Sequence, residues 1–249
     1  MDTKTQSLAL CGVVGGAGTT RLTLELGATL ARGGHDVVLL DAAYGTQGLA
    51  RYVSGPLETD VTDAVTGEKP IEAAIYDLPL DLDGRLSAVP SHATFEQLAR
   101  AKAPAAAEQL SNYVTDLTRG FDIVLIDTPP LATNPAVAAV TAADAVALVA
   151  PATERGLDAI SPIRGRLQDV GASGDHLLAN RADGSLFARE TELLIPESAN
   201  ADPDSPTCAT AEDGALAPSV VDVAETLFDT DLGIEFEDPG LLEKYSLSR

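Results

Sequence analysis

The sequence has no tryptophan, and aromatic residues make up only 4% of it. An interior without large rings must be filled by aliphatic side chains, and few bulky anchors remain for a protein interface. Lysine is also scarce, with Lys4, Lys69, Lys102 and Lys244 the whole complement. Sixteen basic residues face 38 acidic ones, which gives a formal charge of −22 and a pI near 4.2. Non-specific DNA binding rests on neutralising phosphates with Lys and Arg. The thin pairs Arg164 with Arg166 and Arg100 with Lys102 do not supply that, so DNA is not an expected partner. Only two cysteines occur, Cys11 in an apolar run and Cys208 far along in a polar stretch, which argues against a disulfide framework and fits a reducing cytoplasm. No apolar run reaches the roughly 18 to 20 residues of a membrane span, and the opening MDTKTQ has no signal-peptide pattern. His35, His92 and His176 are scattered without metal-ligand spacing, and no Ser-His-Asp order or Cys/His cluster is present.

What is present begins with size. At 249 residues and 45% hydrophobic, the chain can bury one sizeable α/β core without a second domain. Its acidic, lysine-poor surface over an alanine- and valine-rich interior resembles proteins of salt-in halophiles. In molar salt the Debye length falls to roughly 3 Å, which screens the self-repulsion of so many carboxylates.

Residues 11–20, CGVVGGAGTT, have the glycines and terminal threonine of a phosphate-binding loop. SLALCGVV before them reads as a buried strand and RLTLELGATLARGG after them as a helix ended by glycines. Gly15, Gly16, Ala17 and Gly18 would form an anion cradle, because glycines let successive N–H groups point inward and the helix N-terminus adds about half a positive charge. Such a loop usually adds a lysine against the β- and γ-phosphates and a hydroxyl on Mg²⁺. The lysine slot here is Thr19, while the hydroxyl slot, Thr20, is intact. Arg21 lies one residue further round the helix and is expected to point away. Thr19 and Thr20 have a second reading as helix-capping residues, and the glycines one as mere turn formers.

HDVVLLD (35–41), FDIVLID (121–127), DAVALVAP (144–151) and DHLLAN (175–180) read as further buried strands, with others around Val89 and over ETELLIPE (190–197). Helix-compatible segments separate them, the pattern of a mostly parallel sheet covered on both faces: a single doubly wound α/β domain of the P-loop NTPase type, over residues 1–232. Asp41, Asp127, Pro151 and Asn180 all fall at strand carboxyl ends beside the glycine loop, where ligands gather in such sheets. Residues 198–217, rich in Pro, Asp, Ser and Ala, are expected to form a mobile loop before a last helix around SVVDVAETLF, and 233–249 a C-terminal tail.

The order GGAGTT, VVLLDAAYGTQGLARYV, FDIVLIDTPP, ADAVALVAPATERGLDAI, LLANR and LLIPE resembles the MinD/ParA family of deviant P-loop ATPases over about residues 5 to 230. The resemblance, to a haloarchaeal-type member with a degenerate loop, implies a single α/β domain that binds ATP with Mg²⁺. It also implies face-to-face dimers around two nucleotides, and hydrolysis that switches partners in division-site placement, DNA segregation or the positioning of surface machinery. By the same resemblance Thr20, Asp41 and Asp127 would serve Mg²⁺. Asn180 and Arg181 match the base-reading segment, where an amide offers donor and acceptor to an adenine edge, although a plain loop is an equal reading.

The chain departs from that pattern at three charged positions. Val14 stands where the family carries the signature lysine that reaches the partner's phosphates, Thr19 where it carries the in-loop lysine, and Ala43 where it carries the aspartate associated with the attacking water. A single cation at a phosphoryl-transfer transition state is worth roughly 10³ to 10⁵ in rate. The expectation is therefore a pseudo-ATPase acting as a binding or positioning factor, with ATP or ADP and Mg²⁺ held weakly or not at all. An active ATPase whose cation arrives from elsewhere, or a cradle for another anion, are the alternatives. A protein partner or homodimer is expected, with Val14 and Ala43 as candidates for an apolar pair surface. The acidic approach to Leu241, Leu242 and Tyr245 speaks against a membrane-binding terminal helix.

Overall fold

A computed structural model describes residues 5–182, 193–198, 205–210 and 214–236. Among these the apolar runs become β1 (Ser7–Gly12), β2 (Asp36–Asp41), β3 (Tyr76–Asp77), β4 (Arg85–Val89), β5 (Ile123–Thr128), β6 (Ala145–Pro151), β7 (His176–Asn180) and β8 (Leu193–Ile195). They form one sheet in the order β3-β4-β2-β5-β1-β6-β7-β8. Every pair is parallel except the short edge pair of β3 with β4. β3 has no counterpart among the expected strands, since two residues carry no periodicity. Of the expected strand 190–197, residues 193–195 are extended and 190–192 lie outside the described residues.

The helices are α1 (Thr19–Arg32), α2 (Val61–Val65), α3 (Phe95–Ala101), α4 (Pro104–Leu117), α5 (Asn134–Ala142), α6 (Glu154–Asp169) and α7 (Leu216–Phe228). Side chains alternate across a strand, and both faces of the sheet are covered. Leu8 and Leu10 pack with Leu26 and Leu30 of α1 and Val220 of α7. Ala9 and Cys11 point the other way, toward Leu110 of α4, Ala139 of α5 and Ile160 of α6. Each fully buried leucine contributes about 1.5 to 3 kcal/mol. The doubly wound α/β reading holds.

This topology places the site. β1 is central, with β5 on one side and β6 on the other, so the turn from β1 into α1 opens at the middle of the sheet's carboxyl edge. Helix α1 ends at Gly33 and Gly34, whose amides donate to Thr29 and Ala31, with Gly34 left-handed at φ 88°. Within the segment expected to be mobile, Thr207–Ala209 is a 3-10 turn buried at Cys208, and α7 begins at Leu216, inside its expected limit. Residues 199–204 and 211–213 of that segment, and Leu241, Leu242 and Tyr245, lie outside the described residues.

Candidate functional site

The cradle forms as the glycines require. Gly16 and Gly18 are left-handed, at φ 80° and 87°, a conformation that would strain any other residue. Gly15 and Gly16 are exposed, and a Cβ built on either meets nothing within 4 Å, so the concavity is open. Gly18 is the cap of α1, with no side-chain cap and no acidic residue of its own first turn set against the positive helix end. Thr19 and Thr20 are therefore the first helical residues, and neither caps the helix. The Thr19 hydroxyl folds back beneath the loop, 2.7 Å from the place a Cβ on Gly12 would occupy. Val14 is half-buried against both cores. Ala43 is buried within its own chain and so offers no pair surface with Val14.

The three residues expected to serve a metal are brought together, and two of them, Thr20 and Asp127, are hydrogen-bonded to each other. Asp41 and Asp127 are register partners on β2 and β5. The Thr20 hydroxyl donates to Asp127 Oδ2 at 2.5 Å. A Cβ on Gly48 would lie 3.0 Å from the Thr20 hydroxyl oxygen and 2.7 Å from its methyl, so the chain after β2 is packed directly on Thr20. Asp41 accepts from the backbone N–H groups of Ala43 at 2.8 Å and Ser91 at 3.3 Å. Burial, and then the charge of Asp127, raise the Asp41 carboxyl well above the ordinary range. Burial pushes Asp127 up to about 6 against the opposing pull of the Thr20 hydrogen bond. Among the described residues no group of three or more His, Cys, Asp or Glu side chains is arranged to hold a metal ion. The Thr20 hydroxyl gives its proton to Asp127 and keeps its oxygen lone pairs, so Thr20 could still ligate a divalent cation beside a bound phosphate, with Asp127 orienting the hydroxyl.

The segment after β2 is tied down by groups the motif reading had passed over. Gln47, itself left-handed at φ 51°, donates through Nε2 to the Ala93 carbonyl at 2.8 Å. The Thr46 hydroxyl donates to the Ala43 carbonyl at 3.0 Å. Tyr44 is fully buried, its hydroxyl has no hydrogen-bond partner among the described residues, and burial with the charges of Asp41 and Asp60 raises its phenol. Gly48, directly before the apolar Leu49 in GTQGL, is the sequence signal for that close packing.

Beside the cradle opens a cleft of about 280 Å³ lined by Gly18, Arg21, Glu25, Asn180, Arg181 and Pro196, with Glu197 at its exposed rim. Asn180 is buried at the end of β7. Its Nδ2 donates to the Ala17 carbonyl at 2.8 Å and its Oδ1 accepts from Arg181 N at 3.0 Å, so the amide braces the loop. A Cβ on Gly18 would run into that amide. Arg181 is left-handed at φ 58°, and its Nη2 lies 3.8 Å from the same Gly18 position. Arg21 turns from the phosphates, as its helical position requires, and its guanidinium pairs with Glu25 and donates to the Thr207 hydroxyl at 2.8 Å. Glu25 is 2% exposed and also accepts from the N–H groups of Thr207 at 3.0 Å and Cys208 at 2.8 Å, which fastens the 3-10 turn to α1.

A glycine cradle between the central strand and the first helix, with Asp127 and Asn180 at the carboxyl ends of β5 and β7, defines the P-loop NTPase fold. A family model described as an AAA domain matches residues 5–178, well over half of the chain, and the chain belongs to that family. Its fold is that of the MinD/ParA group. The septum site-determining protein MinD of Pyrococcus horikoshii, complexed with Mg-ADP, superposes with a TM-score of 0.75 at 20% identity, over 90% of this chain and 96% of that one. The MinC:MinD complex of Aquifex aeolicus gives 0.73 at 20% identity, over 94% and 98%. A variant of Cyanothece McdA in complex with ATP gives 0.71 at 17% identity, over 95% and 99%. No curated protein matches the chain in sequence. Among the described residues no helix is long and apolar enough to cross a membrane.

Proposed function

We propose that this chain is a MinD/ParA-type protein that has given up ATP hydrolysis and acts as a binding or spatial-positioning factor, alone as a homodimer or with a protein partner. The observation that carries the reading is an open glycine cradle whose cation and water-orienting positions are Val14, Thr19 and Ala43. Phosphoryl transfer depends on electrostatic stabilisation of the transferred group, and at the γ-phosphate end these residues provide no charge. The MinC:MinD pair supports a protein client by analogy, and the Mg-ADP and ATP complexes support descent from a nucleotide-binding protein. The acidic surface fits work in a high-salt cytoplasm.

A second reading, an ATPase with an unorthodox loop, is favoured by Arg181, a guanidinium beside Gly18. Arg181 stands on the nucleoside side of the cradle, away from Val14 and Ala43, so it does not replace the missing charges. The test is ATP turnover in molar KCl with Mg²⁺, on the natural chain and on a Val14→Lys, Thr19→Lys, Ala43→Asp variant. No phosphate release by the natural chain is the expected result, and steady Mg²⁺-dependent release would sink the proposal.

A further inference from the structure

We infer that helix α3 is a docking surface for a second copy of this chain, with Phe95 of each copy seated over the groove beside α4 of the other. The inference rests on the binding-factor reading above and gives its homodimer a surface, and it does not depend on the loss of hydrolysis. The chain has five phenylalanines, five tyrosines and no tryptophan. Phe95 is the one large hydrophobic side chain exposed among the described residues, at 88%. The backbone on either side of it is fixed. Ser91 N–H donates to Asp41 at 3.3 Å, His92 N–H donates to Asp60, and the Ala93 carbonyl accepts from Gln47 at 2.8 Å. Thr94 and Gln97 cap the start of α3 reciprocally, and Gln97 Nε2 donates to Asp63 at 3.1 Å. A large ring on a fixed backbone loses little freedom on docking, which is what an interface anchor requires.

A hole of matching character lies at the other end of the same helix. A groove of about 540 Å³ between α2 and α4 is lined by Val65, Arg100, Ala103, Ala105, Ala106 and Tyr113. Small aliphatic side chains make most of that wall, and the Tyr113 hydroxyl is already engaged with the Ala64 carbonyl at 3.2 Å. Such a wall accepts an aromatic ring. Knob and hole therefore stand on one molecule, at the start and the end of α3.

Charge selects the occupant. At −22 apiece two copies repel one another, so a pair forms only where local charges compensate. Around α3 they do. Glu96 is exposed at the start of the helix, Arg100 and Lys102 are exposed at its end, and the small Ala99 is exposed between them. Glu96 and Lys102 make no ion pair among the described residues, and the pair of Arg100 with Glu68 is about half open to solvent. Two such helices packed antiparallel across Ala99 set the acidic start of each against the basic end of the other, twice over by symmetry. The same arrangement brings Phe95 to the second copy's groove, which opens at Arg100 and Ala103. A uniformly basic partner would oppose Arg100 and Lys102, and a uniformly acidic one Glu96, whereas a second copy answers both. Gly15 and Gly16 take no part, so the contact needs no nucleotide.

The experiment is sedimentation equilibrium in molar KCl without nucleotide, from about 1 to about 100 µM protein, on the natural chain and three variants checked for folding by circular dichroism. Molar salt, with a Debye length of roughly 3 Å, suppresses the repulsion between whole copies more than it weakens pairs in contact. The natural chain is expected to pass from monomer to dimer within that range. Phe95→Ser is expected to weaken the dimer more than about thirtyfold, the loss of a central aromatic anchor. Glu96→Lys and Arg100→Glu each oppose like charges and are expected to weaken it at least about tenfold. An equimolar mixture of those two variants restores every pairing and is expected to dimerise within about threefold of the natural chain. A natural chain that stays monomeric up to about 100 µM overturns the inference. So does a dimer that Phe95→Ser leaves unchanged, a mixture that fails to recover, or a dimer that forms only with added ATP. None of these results touches the non-hydrolysing reading, which turnover alone decides.

Discussion

Replacing Asp127 with asparagine isolates the energetic consequence of facing two carboxyls across β2 and β5. The substitution removes a titrating group and keeps an oxygen to accept from Thr20. Asp127 moves from an ordinary 3.8 to about 6 in the folded chain. At about 1.36 kcal/mol for each tenfold change in proton affinity, ionising it in place costs the folded state roughly 3 kcal/mol at neutral pH. The folded form binds the proton more tightly than the unfolded one, so the natural chain is favoured at low pH and loses that advantage as pH rises from about 4 through about 6. Asp41 is raised as well, and the charge of Asp127 contributes to its shift. Salt screens a buried pair far less than a surface one, so the effect survives in molar KCl. Urea unfolding of both proteins at intervals from about pH 4 to about pH 8 measures it. The difference in unfolding free energy should move by roughly 3 kcal/mol in favour of Asp127→Asn across that range. Parallel curves, within about 0.5 kcal/mol, would refute the electrostatic account of the pair.

Gly48→Ala tests the close packing of the chain after β2 on Thr20. Its added methyl meets the stiff β-branched Thr20 side chain, so the hydroxyl must leave Asp127, and a loss of roughly 1 to 3 kcal/mol in urea unfolding is expected. Glu25→Ala strands Arg21 and releases the N–H groups of Thr207 and Cys208. Breaking one side of a buried pair costs about 3 to 5 kcal/mol, and labelling of Cys208 by a thiol reagent should accelerate markedly. In the natural chain both thiols should resist such reagents, because Cys11 and Cys208 are buried and free, and burial pushes the Cys11 thiol up to about 12.

Much of this was legible because it depends on short-range patterns. Runs such as HDVVLLD and DAVALVAP announce strands covered on both faces, and GGAG before a threonine announces a strand-to-helix turn. Three substitutions at charged positions can be read by eye. Long-range pairings cannot. Nothing near Glu25 in the sequence indicates that its carboxylate will hold the backbone of residues 182 positions further along. Asn180 was readable as a base-facing amide, yet its hydrogen bonds go to Ala17 and Arg181, because the same side chain must also fix the loop. Ala43 looked like a surface substitution and is instead interior. The close packing on Thr20 depends on Gly48, which periodicity marks only as a turn.

The fastening of Thr207–Ala209 to α1 has a consequence for the behaviour of the whole molecule. Arg21 and Glu25 line the cleft beside the cradle and also anchor that turn, so the two sites draw on one pair of side chains. By linkage, any ligand whose contacts favour the paired arrangement must raise the free energy of undocking the turn, and a docked turn must hold that ligand more tightly by the same factor. Slowed amide exchange at Thr207 and Cys208 would then report occupancy of the cleft without a label and without turnover. The far end of the polypeptide thus becomes the gauge for a cradle built from its first twenty residues.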